Sequence, residues 1–358
     1  VHTAVIICLA GGILITVFGI LFSHNILALM KTKDELIDGA VLYLRIYLLG
    51  MPALGLYNFG NAVLSAAGDT KRPLYYLAFA GVVNVILNLF FVIVCHLGVA
   101  GVALASMISQ FISAFLILRA LLTGKEKYCL RLSEIRFDRR KAAGILQIGI
   151  PSAFQYSLFA FANLFVQSSV NSFDHVLVEG NSAAANADPL VYDMMAAFYT
   201  ACSSFIAQNF GAKKKKRILQ TYLICLFYSF ITSLVLGVGI YLARYPFLYL
   251  FTSDKAVVEA GITRLSIMAL SYSASAFMDA SIAASRGLGK TAVPTFVVVM
   301  GSCVFRIIWI YTIFAYFHTI QSLYILYVFS WGITAIAENI YFFHVYRHTL
   351  TGKTESHL

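Results

Sequence analysis

Asp188, Asp193 and Asp279 lie inside long apolar stretches of the chain, where an ionisable group is costly and ordinarily faces a cavity or a partner. Asp188 follows Asn186 and precedes Pro189. A proline inside a helix removes one backbone hydrogen bond and predicts a kink or break there. Carbonyls freed at such a break, joined by a carboxylate, suit a bare cation, so Asp188 is a candidate Na⁺ ligand. The alternative is a carboxylate tied to a neighbouring helix for structural reasons. Asp193 stands five residues further on, only loosely on the same side, with Tyr192 beside it. Asp279 precedes Arg286 by seven residues, two helical turns. It could bind a cation, carry a proton or attract a cationic substrate; the alternative is an ion pair with Arg306 on the next helix. Glu338 and Asn339 fall near the middle of the last apolar segment.

Polar amides recur at helical spacing. Gln155, Asn163 and Gln167 are separated by eight and four residues, near multiples of 3.6, and therefore share a helix face. Asn84 and Asn88 are four apart, and Asn58 and Asn61 three apart. Gln155, Asn163 and Asn84 either line a cavity or hydrogen-bond between helices, whereas Asn61 and Gln167 are expected to do the latter, at about 0.6 kcal/mol per bond. No phosphate-binding Gly-rich loop, HExxH, CxxC or intramembrane protease motif is present, so neither ATP nor enzyme chemistry is expected. The six cysteines are scattered and read as small buried side chains, and the eight histidines show no ligand spacing.

These groups must be positioned by membrane helices. Of 358 residues, 60% are hydrophobic and 12% charged, about half the charged share of a soluble domain. Lipid must cover much of such a surface. Ten segments have the roughly 20 apolar residues that a span needs: 4–30, 40–66, 73–97, 99–123, 142–173, 183–211, 218–243, 257–286, 294–317 and 321–347. The net charge of +10 is carried by clusters between them. Nineteen basic residues fall in alternate loops (at Lys71, Arg119 to Lys141, Lys213 to Arg217, Arg286 to Lys290, and Arg347 to Lys353), and four in the loops between (Lys31, Lys33, Arg244, Lys255). This asymmetry predicts a multi-pass protein of the cell (inner) membrane with both ends cytoplasmic. The run Lys213 to Arg217 is a topology signal beside anionic lipid, with no nucleic-acid partner expected.

The chain also repeats itself. At an offset of 221, Gly68 matches Gly289, Thr70 matches Thr291 and Pro73 matches Pro294. The same register pairs Leu44 with Leu265 and Ile46 with Ile267. Subtracting 221 from the helices at 142–173 and 183–211 gives partners that would precede Val1, so two helices are expected upstream, ten here of twelve in all. The expected organisation is 1–123, the last four helices of an N-terminal lobe; 124–141, a basic cytoplasmic linker; 142–350, a six-helix C-terminal lobe; and 351–358, a cytoplasmic tail. An even number of intervening helices makes this a parallel repeat, a type known in transporters.

Five stretches, in order, resemble bacterial MATE (multidrug and toxic compound extrusion) transporters. They are Tyr43 to Pro52 running on to Pro73; Gly149-Ile-Pro-Ser152 with Gln155, Asn163 and Gln167; Gly180 to Asn186 leading to Gln208-Asn-Phe-Gly-Ala212; Met278-Asp279 with Arg286 to Gly289; and Cys303, Arg306, Trp309 with Ser330-Trp331. The resemblance implies an all-α integral membrane protein, a MATE-like two-lobe bundle around a cavity that opens alternately to each side. It implies a monomeric secondary exporter, with no cofactor, that exchanges hydrophobic, often cationic small molecules for Na⁺ or H⁺. A carboxylate at the Asp188 position is a feature of the related transporters. The alternatives are a lipid-linked precursor flippase of the same superfamily, disfavoured by few intramembrane arginines, or a non-transporting truncated membrane protein.

Overall fold

The computed structural model describes residues 1–29, 34–124, 126 and 128–349. Lys31, Lys33, Lys125, Lys127, Lys353 and the expected tail 351–358 lie outside the described residues. Among the described residues there is no strand, and nine helices are long and apolar enough to cross a membrane, ten if one bent pair counts as a single span. Side chains such as Leu14 and Leu21, each 67% exposed, and Phe18, 57%, clothe the outer faces. Water would not tolerate such a surface; hydrocarbon would.

Two units divide at Leu146/Gln147. The first contains α1 (His2–Leu29), α2 (Asp34–Leu48), α3 (Met51–Ala66), α4 (Lys71–Leu89, continued as π-helix by Phe90–Val94) and α5 (Gly98–Thr123). Here α2 and α3 meet at a 43° bend. Pro52 has no N–H for the Leu48 carbonyl four residues back, and the Thr16 hydroxyl donates to that carbonyl instead, at 2.6 Å. The Arg45 guanidinium is held by Ser23, Nε to Oγ 2.9 Å. The interhelical core is built on Tyr57, Leu64, Ile117 and Leu121.

The second unit contains α6 (Arg139–Val170, entered from the first unit), α7 (His175–Ala185), α8 (Ala187–Gly211), α9 (Lys215–Leu242), a short α10 (Arg244–Tyr249), α11 (Lys255–Gly287), α12 (Ala292–Phe317, with π-helical turns at Val299–Val304 and Ile310–Phe314) and α13 (Ile320–Thr349). The expected helix at 183–211 begins earlier, at His175, and breaks at Asn186. Pro189 explains the place, because its ring would collide with the Ala185 carbonyl, the last residue of α7. The Asn186 side-chain amide donates to the Ser182 and Ala183 carbonyls, both at 3.1 Å, and closes the broken end. Close packing of α9 on α11 rests on small residues: Ser229, Ser233 and Gly237 recur every four positions, all but Gly237 at most 1% exposed, and a Cβ at Gly237 would strike the Ala269 carbonyl.

The internal repeat extends to backbone detail. α2–α3 and α11 differ at both bounds by the offset of 221. Gly68 and Gly289 both take left-handed backbone, φ +92° and +76°, after matching helices, a conformation open to glycine without a Cβ penalty. His96 and His318, 222 apart, also take left-handed backbone, at φ +51° and +48°, shortly after the π-helical turns late in α4 and α12. The copies part at Pro52, which has no proline counterpart in α11, and α11 runs unbroken for 33 residues.

Candidate functional site

A cavity of about 470 Å³ lies within the second unit, lined from α6, α7, α8, α11, α12 and α13. Helical spacing puts the lining side chains on single faces. Gln155, Phe159, Asn163, Val166 and Val170 on α6 recur every three or four residues, as do Tyr324, Tyr327 and Trp331 on α13. On α11, Arg264, Asp279 and Arg286 fall within one arc of the helix. Aromatic walls are supplied by Tyr192, Phe159, Tyr327 and Trp331, with Tyr192 set edge-on to Trp331 at 6.0 Å and to Tyr272 at 5.8 Å.

Asp188 is at the cavity wall and fully engaged. Its Oδ2 lies 2.6 Å from Arg264 Nη2, and its Oδ1 accepts from the Tyr272 hydroxyl. Arg264 also donates from Nη1 to the Asn181 carbonyl at 3.1 Å, across the α7–α8 break. The break at Asn186 therefore hands Asp188 a guanidinium and a phenol rather than an open coordination sphere. The arrangement ties α8 to α11.

Asp279 is different. It lines the cavity half-buried, and no hydrogen bond or ion pair engages its carboxylate among the described residues. The ion pair with Arg306 envisaged from the sequence is absent. Arg306 is 1% exposed and donates from Nη1 to Asn163 Oδ1 at 2.7 Å and from Nε to Ser330 Oγ at 3.3 Å. Its guanidinium carbon lies 4.6 Å from the Tyr327 ring centre and 5.2 Å from that of Phe159. Aromatic faces, one amide oxygen and one hydroxyl thus stand in for a counter-ion.

Gln155 and Asn163 line the cavity, and each orients an arginine. Gln155 Oε1 accepts from Arg286 Nη2 at 2.9 Å and from Thr295 Oγ1 at 3.3 Å. Gln167 also lines the cavity while donating to Asn171, just past the end of α6, at 2.9 Å. Two sequence candidates lie elsewhere. Asp193 is exposed and outside the lining, because five residues turn it away from the Asp188 face. Asn84 belongs to the first unit, where it donates to Ser109 Oγ at 3.3 Å and accepts from Asn88 at 3.1 Å. The sequence presents Arg286 as a loop charge and gives no role to Tyr199, Tyr272 or Tyr324; helical periodicity on α8, α11 and α13 is the signal that points to them.

A family model described as MatE matches residues 1–90 and 151–312. The chain is 33% identical over 201 residues to a probable multidrug resistance protein, YpnP, of Bacillus subtilis, covering 56% of this chain and 44% of that protein. It is 24% identical over 251 residues to a FAD transporter of Shewanella oneidensis, covering 68% of this chain and 55% of that protein. The chain thus spans about half the length of these relatives. A solved outward-facing MATE family transporter of the MOP superfamily has the same fold, with a TM-score of 0.88 at 21% identity over 97% of this chain and 78% of that one.

Proposed function

The chain belongs to the MATE family, and from that membership we propose that it forms most of a secondary exporter that exchanges a hydrophobic, cationic small molecule for Na⁺ or H⁺ by alternating access. One observation carries the reading: an unengaged carboxylate, Asp279, in a cavity walled by aromatic rings. A carboxylate free of protein partners can take a proton, a metal cation or an organic cation in turn, and competition among them is what exchange requires. Aromatic faces favour flat hydrophobic cations in the same space. Asp279 is the proposed cation site, Tyr192, Gln155 and Asn163 are the proposed substrate-side contacts, and Asp188 is the fixed partner of Arg264. The protein is proposed to act as a monomer in the inner membrane, with both ends of this chain on the cytoplasmic side.

The test is ethidium efflux from an efflux-deficient bacterium expressing the full-length protein, with a Na⁺ or a H⁺ gradient imposed separately. Gradient-driven efflux supports the proposal and names the ion. No efflux under either gradient, with protein present in the membrane, refutes it.

A second reading rests on the count of charges. Three arginines, Arg264, Arg286 and Arg306, line the cavity against two aspartates, one of which Arg264 neutralises. That balance favours an anionic aromatic substrate, such as a pyrophosphate compound of the kind the Shewanella relative's name specifies, and it returns weight to the flippase alternative. Uptake of an anionic flavin nucleotide into proteoliposomes, set against ethidium, separates the two.

A further inference from the structure

One face of α13 presents Trp331, Ala335, Glu338, Phe342 and Val345, in alternating steps of four and three. All five are buried, and Glu338 is 0% exposed between apolar clusters that hold Trp331 and Ala335 on one side and Phe342 and Val345 on the other. Neither carboxylate oxygen meets a hydrogen-bond donor among the described residues. The repeat provides an internal control. The position 221 residues earlier is Ile117, also 0% exposed and packed in the core of its unit. The slot can be filled by an aliphatic side chain, so packing alone does not call for an acid. An ionised carboxylate enclosed without a partner costs several kcal/mol, and a group so placed takes a proton instead.

The groups around it are few. Arg286 stands two turns beyond Asp279 on α11, and α11 packs along α13. Its Nη2 is bonded to Gln155, yet its Nε is buried and without an acceptor. Tyr341 stands one turn on in the same helix. From α9, the Tyr222 hydroxyl bonds the neighbouring Asn339 rather than Glu338. The segment of α12 packed on α13 brings Cys303 and, two turns before Glu338 at Ser330, Arg306.

We propose that Glu338 is a second proton-binding site of this protein, behind the cavity, and that Arg286 links it to Asp279. In the arrangement seen, Glu338 holds its proton and Arg286 rests on Gln155. When Arg286 leaves Gln155 and turns its free Nε toward α13, the Glu338 O–H bond breaks, its proton passes to cavity water, and the carboxylate left behind pairs with the guanidinium. The proposal rests on the exchange reading with H⁺ among the coupling ions.

Infrared difference spectroscopy of the purified full-length protein at neutral pH, followed by a H⁺-driven ethidium efflux assay, tests it. The expected result is the carbonyl-stretch band of a protonated carboxylic acid that disappears in Glu338→Gln, with folding retained and H⁺-driven efflux reduced at least tenfold. Glu338→Asp, which keeps an acid, should shift the band and recover part of the efflux. A spectrum with no acid band assignable to Glu338, or a Glu338→Gln protein with the wild-type pH profile of efflux, overturns the proposal. So does a large loss of thermal stability in Glu338→Gln, which would mark an ionised structural partner of Arg286. Wild-type protein that shows the band but no efflux under any gradient refutes the exporter reading while leaving the proton site standing.

Discussion

Arg264 and Asp188 meet at 2.6 Å between Nη2 and Oδ2, and the Tyr272 hydroxyl closes on the remaining oxygen. The pair pins the start of α8 to the first third of α11. It also gives the two aspartates of the cavity different roles. One is committed to architecture, and the other is left open. Substitutions at the two should therefore fail in different ways.

Asp188→Asn should lose stability first. It strips Arg264, whose side chain is 7% exposed, of its counter-charge. The expected cost is about 1–3 kcal/mol, below the ~3–5 kcal/mol of a fully enclosed pair because Asp188 keeps some contact with the cavity. Thermal unfolding in detergent measures it. The double variant with Arg264→Gln should cost less than the two singles added, as expected for residues in contact.

Asp279→Asn should do the reverse. With no partner to orphan, its unfolding temperature should stay near wild type. Gradient-driven ethidium efflux by the full-length protein should fall by at least tenfold, and Asp279→Glu should retain a part. Equal efflux by wild type and Asp279→Asn would remove this residue from the proposed cation site.

The α9–α11 contact offers a test of packing free of charge. A methyl at Gly237 has only the Ala269 backbone to displace, whereas at Gly239 it meets nothing within 4 Å. Gly237→Ala should destabilise by about 1–3 kcal/mol as an overpacked contact, and Gly239→Ala should be neutral or slightly stabilising through helix propensity. Thermal shift assays on the two proteins side by side decide this.

At the Pro52 bend, Thr16→Val removes the donor to the Leu48 carbonyl and should cost about 1 kcal/mol. In a Pro52→Ala background the new N–H can serve that carbonyl, so the same change should cost less. A double-mutant cycle read by thermal unfolding gives the difference.

The spans were legible because lipid imposes one requirement, length of apolar helix, that sequence displays directly. Gly68 and Gly289 carried the repeat in plain view, and their matched left-handed backbone is the physical reason for the match. Pro189 announced a break, but not that it would fall at Asn186 or that Arg264 would occupy Asp188. Partner choice between helices is set by packing across distant sequence, which periodicity does not encode. Arg286 was hidden for another reason: at the end of a segment it looks like a loop charge, and only the tilt of an arginine back along its helix brings it to Gln155. Asp193 shared the Asp188 side only loosely by helical angle, and the fold turns it out of the lining.

The absence of a proline from α11 has a mechanical outcome. Arg264, Tyr272, Asp279 and Arg286 all project from one uninterrupted rod of 33 residues, about 50 Å long at 1.5 Å per residue. Their axial spacings are frozen as on a ruler, with Asp279 and Arg286 about 10 Å apart. No shear or tilt of this rod can bring one of these groups to a ligand while leaving the others behind. Signals between them must travel through side-chain torsions, and any larger excursion of the rod must deliver the ion-paired, the open and the amide-bound groups together, as a single cargo.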